Sequence, residues 1–245
     1  MNIIAKNSFT NFLKNWGDSL PIPKAILMVS AHWETFGTKV SKMERPKTIY
    51  DFSGFPDELY QINYPAPGSP EVAELVKNQL SPNAESDEPW GLDHGTWSIL
   101  HHLYPKADVP VLQMSLNRNL KLRDHWRLAT QLRQLRKMGV LIIGSGNITH
   151  NLQQIVWQEQ APAIAWAAEF DELIKEALVN RDFETLWGER PEQQTLWQMA
   201  HPRLDHYLPL LYTIGASDFE NENIQFPFAG FQNGSLSMRA VSIQK

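Results

Sequence analysis

The sequence predicts an α/β fold: a single domain whose central sheet, mostly parallel or mixed, is flanked by helices on both faces. Three observations carry this. Short runs that are apolar on both faces recur along the chain, and longer amphipathic stretches lie between them. A length of 245 residues with 42% apolar and 20% charged residues also suits one sizeable core without staples. Strands alternating with helices imply right-handed crossovers, and in such sheets ligands bind on the loops beyond the carboxyl ends of the strands.

The elements follow in order. Residues 25–31 (AILMVSA) read as a buried strand. From Glu44 to Gly68 prolines and aromatics, Tyr50, Phe52, Phe55, Tyr60 and Tyr64 among them, predict a long irregular loop of the kind that forms a lid or a pocket wall. Ser69-Pro70-Glu71 is a cap with proline in the first turn. It starts a helix to Leu80 that carries Val72, Leu75 and Val76 at helical spacing. Residues 109–115 form a second strand. Residues 122–138 form a helix with Leu122, Trp126, Ala129, Leu132, Leu135 and Met138 in its apolar set, ending at Gly139. Residues 140–145 form a third strand directly after it. A last helix runs through Leu210, Leu211 and Ile214, with Asp205 able to cap it.

Composition excludes several functions. The chain has no cysteine, so disulfides, thiolate zinc sites, iron–sulfur clusters and cysteine nucleophiles are all ruled out, and any metal must be held by His, Asp or Glu. With 22 basic and 27 acidic residues the net charge is −5, which favours neither nucleic acid nor an anionic membrane surface. The first twenty residues lack the apolar core of an export signal and no run is long enough to span a bilayer, so a cytoplasmic location is expected.

The eight histidines are the chemical resource. His32 follows the first strand at once, and His150 follows the third after the turn Gly144-Ser145-Gly146-Asn147, whose glycines permit positive φ and close backbone approach. A histidine after a strand is commonly structural, but two at equivalent strand ends point to a site. His206 reads either as a polar residue of a helix's first turn or as a ligand held by a helix terminus, and His201 as its partner or as a surface residue. His94 lies between a turn and an apolar helix beside Asp93, which reads equally as a helix cap. His101, His102 and His125, inside helical patterns, read as solvated or structural. No metalloprotease, nucleophile-elbow, P-loop or dinucleotide motif is present. A histidine-centred site on strand-end loops suits a divalent metal such as Fe(II) or Zn(II). Trp33, Trp97, Tyr207 and the aromatics from Tyr50 to Tyr64 could pack on a planar ring, or could be core. For a hydrolase no carboxylate base stands evidently beside the histidines; Glu34 lies two residues past His32.

Seven blocks taken in order are more specific: SAHWETFGTKV (30–40), PKTIYDFSGFPDELYQINYPAPGSPEVA (46–73), WGLDHGTW (90–97), DVPVLQMSLN (108–117), GSGNITHNL (144–152), HPRLDHYLPLLYTIGA (201–216) and NGSLSM (233–238). Together they resemble the class III extradiol ring-cleaving dioxygenases over nearly the whole chain. The branch is that of the 4,5-DOPA dioxygenases, related to the β subunit of protocatechuate 4,5-dioxygenase. The resemblance implies an Fe(II) enzyme, with Zn(II) as an alternative occupant, that cleaves the ring bond next to the diol of a small catechol using O2. By position His32 and His206 would be metal ligands. His150 would be the proton-handling histidine and an added ligand in a zinc-filled resting site, and His94 a second catalytic residue that hydrogen-bonds substrate or oxygen.

The family opens with a strand ending in Gly-His-Gly-Ser-Pro-Met-Asn, and Met1-Asn2 matches only its last two residues. The expectation is therefore a single catalytic domain, residues 1–245, truncated at its N-terminus and short of one ligand. An unpaired sheet edge would then favour a homo-oligomer. A non-catalytic metal- or ligand-binding protein on the same scaffold is the alternative, and a zinc hydrolase a third reading.

Overall fold

The computed structural model describes residues 2–244. The chain forms two compact units, the first made of residues up to Asn119 with Gln131–Ser145, the second of Leu120–Thr130 with the chain from Gly146 onward.

The first unit holds the sheet. Helix α1 (Ser8–Ser19), which the sequence pattern did not announce, starts at a capping box: Thr10 N–H donates to Asn7 Oδ1 at 2.9 Å and Asn7 N–H to Thr10 Oγ1 at 3.1 Å. It packs along α3 (His94–Leu103), and Gly17 permits the approach, since a Cβ there would lie 2.2 Å from the Leu103 carbonyl oxygen. Strand β1 (Ala25–Thr35) is buried through its first seven residues and runs parallel to β4 (Val111–Asn117) on one side and β5 (Val140–Ser145) on the other. Strand β2 (Thr38–Ser41) meets β4 antiparallel at Val40 and Met114, and β3 (Ala84–Asp87) lies parallel to β2. The order β3-β2-β4-β1-β5 is thus a mixed sheet, as the alternation of strands and helices predicted. Polar side chains stitch its thin seam. Buried Ser115 accepts from Lys39 N–H at 2.8 Å and bonds Thr35 Oγ1 at 2.6 Å, while Gln113 N–H donates to Ser41 Oγ at 2.8 Å. Helix α2 (Pro70–Gln79) begins as predicted, with Val72 N–H donating to the Ser69 hydroxyl.

The second unit is mainly helical: α4 (Leu122–Thr130), α6 (Ala165–Asn180), α7 (Phe183–Leu186), α8 (Gln194–Ala200) and α9 (Leu208–Gly215). Its strand pairs are β6 (Asn223–Phe228) with β9 (Ala240–Gln244) and β7 (Phe231–Gln232) with β8 (Leu236–Ser237). Arg239 and Asp171, 8% and 4% exposed, form a buried ion pair that ties this C-terminal segment to α6.

Two predicted helices need correction. The stretch 122–138 is broken at Gln131 and Leu132 into α4 and α5 (Arg133–Lys137), because the halves pack on different partners, α4 on α9 and α5 on β5. Met138 is consequently 42% exposed instead of apolar core, although Gly139 does end the helix, in the left-handed conformation at φ +89°. The last helix starts at Leu208 with no side-chain cap, so Asp205 does not cap it and His206 lies in the turn before it. No helix of the described residues is long and apolar enough to cross a membrane.

Two histidines of the second unit are built in neutral. His125 is hydrogen-bonded to the Tyr212 hydroxyl at 2.8 Å, and His201 Nε2–H donates to the Ile148 carbonyl at 2.7 Å. Burial pushes each down to about 4 from the ordinary 6.5. The unfolded chain takes up protons on both below about 6.5, while the folded chain resists until about 4. Stability held above that window is therefore lost as pH falls through it, on the order of 3 kcal/mol per histidine. Urea unfolding of His125→Gln across this range should show a destabilisation relative to the unsubstituted protein that shrinks by about that amount toward acid pH. A constant difference at every pH would contradict it.

Candidate metal and catalytic site

In the first unit β1, α3 and the 44–68 loop bring three side chains together. The ladder between β1 and β4 shifts register between Val29 and Glu34, and His32 falls in that irregular stretch, its N–H donating to Ser30 Oγ at 3.2 Å. His32 is therefore inside the strand and not, as predicted, on a loop after it. His94 is the first residue of α3, whose cap is Asp93: Thr96 N–H donates to Asp93 Oδ1 at 3.0 Å. Asp93 is fully buried and exchanges two hydrogen bonds with Gln113. Burial, aided by the charge of Asp51, holds its carboxyl above the ordinary range against hydrogen bonds from Gln113 and Ser30. The capping reading of Asp93 is the correct one.

The third group, Asp51, was missed by sequence reasoning. Its Oδ1 accepts from the His94 backbone N–H at 2.8 Å, and its Oδ2 lies 2.8 Å from His94 Nδ1 and 3.6 Å from His32 Nδ1. Burial works to raise the Asp51 carboxyl, but the hydrogen bonds and charge of His94 and the charge of His32 outweigh it and leave it below the ordinary range. It is thus an anion that only accepts, so His94 carries its proton on Nδ1. One ligand atom from each of His32, Asp51 and His94 lies within 4.8 Å of the others. Two imidazoles and a carboxylate suit iron(II) or zinc, so the donor set fits the metal that the sequence called for. Glu34 is engaged elsewhere, with Arg118 at 3.3 Å.

The loop around Asp51 is pinned, by a bridge between Thr48 and Leu92, by Trp97 Nε1–H donating to the Ile49 carbonyl and by the Tyr64 hydroxyl donating to the Tyr104 carbonyl. It contains a 3-10 turn, Asp57–Gln61. Phe52 meets the His94 ring edge-on, centroids 5.4 Å apart, and lies 5.0 Å from Tyr60 and 6.2 Å from Tyr50. These three rings are half-buried. Trp33, stacked on Trp90, and the fully buried Trp97 and Tyr207 are packing residues, which decides that earlier alternative.

The second unit pairs the other two candidates. His150 and His206 stack with centroids 3.4 Å apart and planes at 1°. His150 is held by its N–H to the Ala200 carbonyl, and its imidazole lies below the ordinary value through burial, which the charge of Asp205 opposes. His206 is fixed by Asn147, also missed from sequence, whose Oδ1 is 3.0 Å from His206 Nδ1 and whose N–H donates to the His206 carbonyl at 2.9 Å. Gly146 is needed for this approach, since a Cβ there would lie 2.1 Å from that carbonyl oxygen; its backbone is not left-handed. His201 is a buried structural residue, His125 likewise, and His101 is exposed.

With this geometry in place, comparison with known proteins is decisive. The family described as the catalytic LigB subunit of aromatic ring-opening dioxygenase matches residues 4–233. The chain belongs to that family. An Escherichia coli protein named 4,5-DOPA dioxygenase extradiol is 40% identical, over 99% of this chain and 90% of its own. A Beta vulgaris protein of the same name is 39% identical, over 92% and 85%. A crystal structure of an uncharacterised protein from Escherichia coli K12 superposes with a TM-score of 0.82 at 36% identity, covering 98% of this chain and 94% of that one. The dioxygenase resemblance read from the sequence blocks is thereby established, and with it an aromatic ring-opening, metal-dependent enzyme on an α/β fold.

Gly95, the second residue of α3, sets the spacing of the first-unit cluster. A Cβ there would lie 2.5 Å from Ser30 Oγ and 2.8 Å from His32 Cδ2. Gly95→Ala should cost about 1–3 kcal/mol in urea unfolding through overpacking. It should also displace His32, seen as weaker Zn(II) retention against a chromophoric chelator. Unchanged stability and retention would refute the tight fit.

Proposed function

We propose that this dioxygenase cleaves the ring of a small catechol, such as DOPA or a related ortho-diphenol, in the extradiol position with O2, using Fe(II); Zn(II) would fill the same site without turnover. The observation that carries the reading is the His32–Asp51–His94 cluster standing beside the half-buried rings of Phe52, Tyr60 and Tyr50. The family supports it, as do the names of its relatives.

Asp51 holds the His94 imidazole with Nδ1–H inward, so that Nε2 is the nitrogen with the lone pair. The aromatic side chains of the pinned loop offer faces and edges to a planar ring. His150, kept neutral at physiological pH by burial, is suited to take a proton from a catechol hydroxyl and return it later. His206 keeps the ligand role and His150 the proton-handling role that the resemblance gives them. When bound, the divalent metal supplies Lewis acidity toward the catechol oxygens and, as iron(II), the redox contact with O2.

The test is anaerobic loading with Fe(II), then O2 with DOPA or caffeate. The expected outcome is stoichiometric O2 uptake and a yellow ring-opened product. His150→Gln should retain metal but lower kcat by about 10²- to 10⁴-fold. Iron-loaded protein that consumes no O2 with either catechol would overturn the reading.

A further inference from the structure

The polar wiring behind His206 settles a question that its ring alone leaves open, namely which nitrogen carries the proton. Asn147 Nδ2 lies 2.8 Å from the Ser237 carbonyl oxygen and 3.7 Å from Met238 Sδ. Neither atom can donate, so the amide nitrogen must face them and the amide oxygen must face the other way, toward His206 Nδ1 at 3.0 Å. An amide oxygen only accepts, so Nδ1 must carry the hydrogen.

The Ser237 carbonyl is itself held firmly. Ser237 N–H donates to Thr149 Oγ1 at 2.9 Å, and Thr149 Oγ1–H donates to the Ser235 carbonyl at 2.8 Å. The Ser237 hydroxyl donates to Asp171, and Asp171 is clamped by Arg239. Ser235, Ser237, Thr149 and Asp171 are all buried, so water does not compete for these bonds.

We infer that Asn147 is a positioning residue that locks His206 in the Nδ1–H form and so reserves Nε2 for the metal, with the 235–239 segment acting as the clamp that sets the amide. The metal part of this inference rests on the proposed ligand role of His206; the tautomer part does not. Such outer partners of a metal-bound imidazole commonly alter metal affinity by about 10- to 100-fold. The stack on His150 fixes the plane of the ring, and Asn147 fixes its rotation within that plane.

The test is long-range 1H–15N NMR of metal-free, 15N-histidine-labelled protein at mildly alkaline pH, with His206 assigned by the signals lost in His206→Gln. The expected result is protonated Nδ1 and unprotonated Nε2. Asn147→Leu should release this preference and weaken Zn(II) binding about 10- to 100-fold, while Asn147→Asp, which keeps the acceptor, should retain the tautomer. Protonated Nε2 in the unsubstituted protein overturns the inference, as does an unchanged tautomer in Asn147→Leu. Should Asn147→Leu fail to fold, the unsubstituted protein and Asn147→Asp still decide. Failure of the ligand reading shows separately, as His206→Gln binding Zn(II) at full affinity.

Discussion

The Asp51 carboxylate is the constraint on which the first-unit site depends. It comes from the middle of a 25-residue irregular stretch, 44–68, yet reaches both the backbone and the ring of His94 and turns toward His32. An anion so placed does three things at once: it closes the first turn of α3, fixes which nitrogen of His94 is protonated, and lowers the cost of holding two imidazoles side by side. The ring centroids of His32 and His94 are only 3.8 Å apart, an arrangement that two protonated histidines would resist. The loop that delivers Asp51 is hydrogen-bonded at Thr48, Ile49, Tyr50 and Tyr64, so it is tied down on both sides of the carboxylate.

The second unit orients its histidine with a neutral amide instead. A carboxylate behind an imidazole adds charge and makes the ring a stronger donor, whereas an amide fixes direction and leaves the charge alone. The difference follows from the surroundings. Asp51 is served by two histidines and a backbone N–H, while Asn147 donates to the Ser237 carbonyl as well as accepting from His206, two roles that an amide fills together and a carboxylate does not. An acidic side chain that the second unit does bury, Asp171, is answered by Arg239 and by Ser237.

Much of this was legible in sequence, and the losses have physical causes. The strand 140–145, the proline-started helix at 70 and the strand read over 109–115, which runs over 111–117, were all visible, because a short apolar run or a cap with proline is a local signal. The break at Gln131 was not, because the helical period continues through it and only the packing partners change. His32, His94, His150 and His206 were recognised as candidates from their places beside predicted strands and helices, and the resemblance supplied their roles. Asp51 and Asn147 were not, since each acts across a long separation, 43 and 59 residues, through hydrogen bonds that no spacing records. Trp33, Trp97 and Tyr207 show the converse: aromatics beside site residues in sequence that turn out to be core.

Glycine explains why both histidine pairs sit against backbone that most residues would push away. At Gly95 the first turn of α3 comes down on β1 beside His32, and at Gly146 the turn after β5 lies on the His206 carbonyl. Neither is there for left-handed backbone; each is there because a single methyl would collide with the atoms that place a histidine. Imidazole chemistry alone therefore does not define the sites. A histidine positioned to a few tenths of an ångström needs its neighbour's side chain removed as much as it needs its own hydrogen-bond partner, and a Gly next to Asp93-His94 or before Asn147 is as much part of the chemistry as the donor atoms.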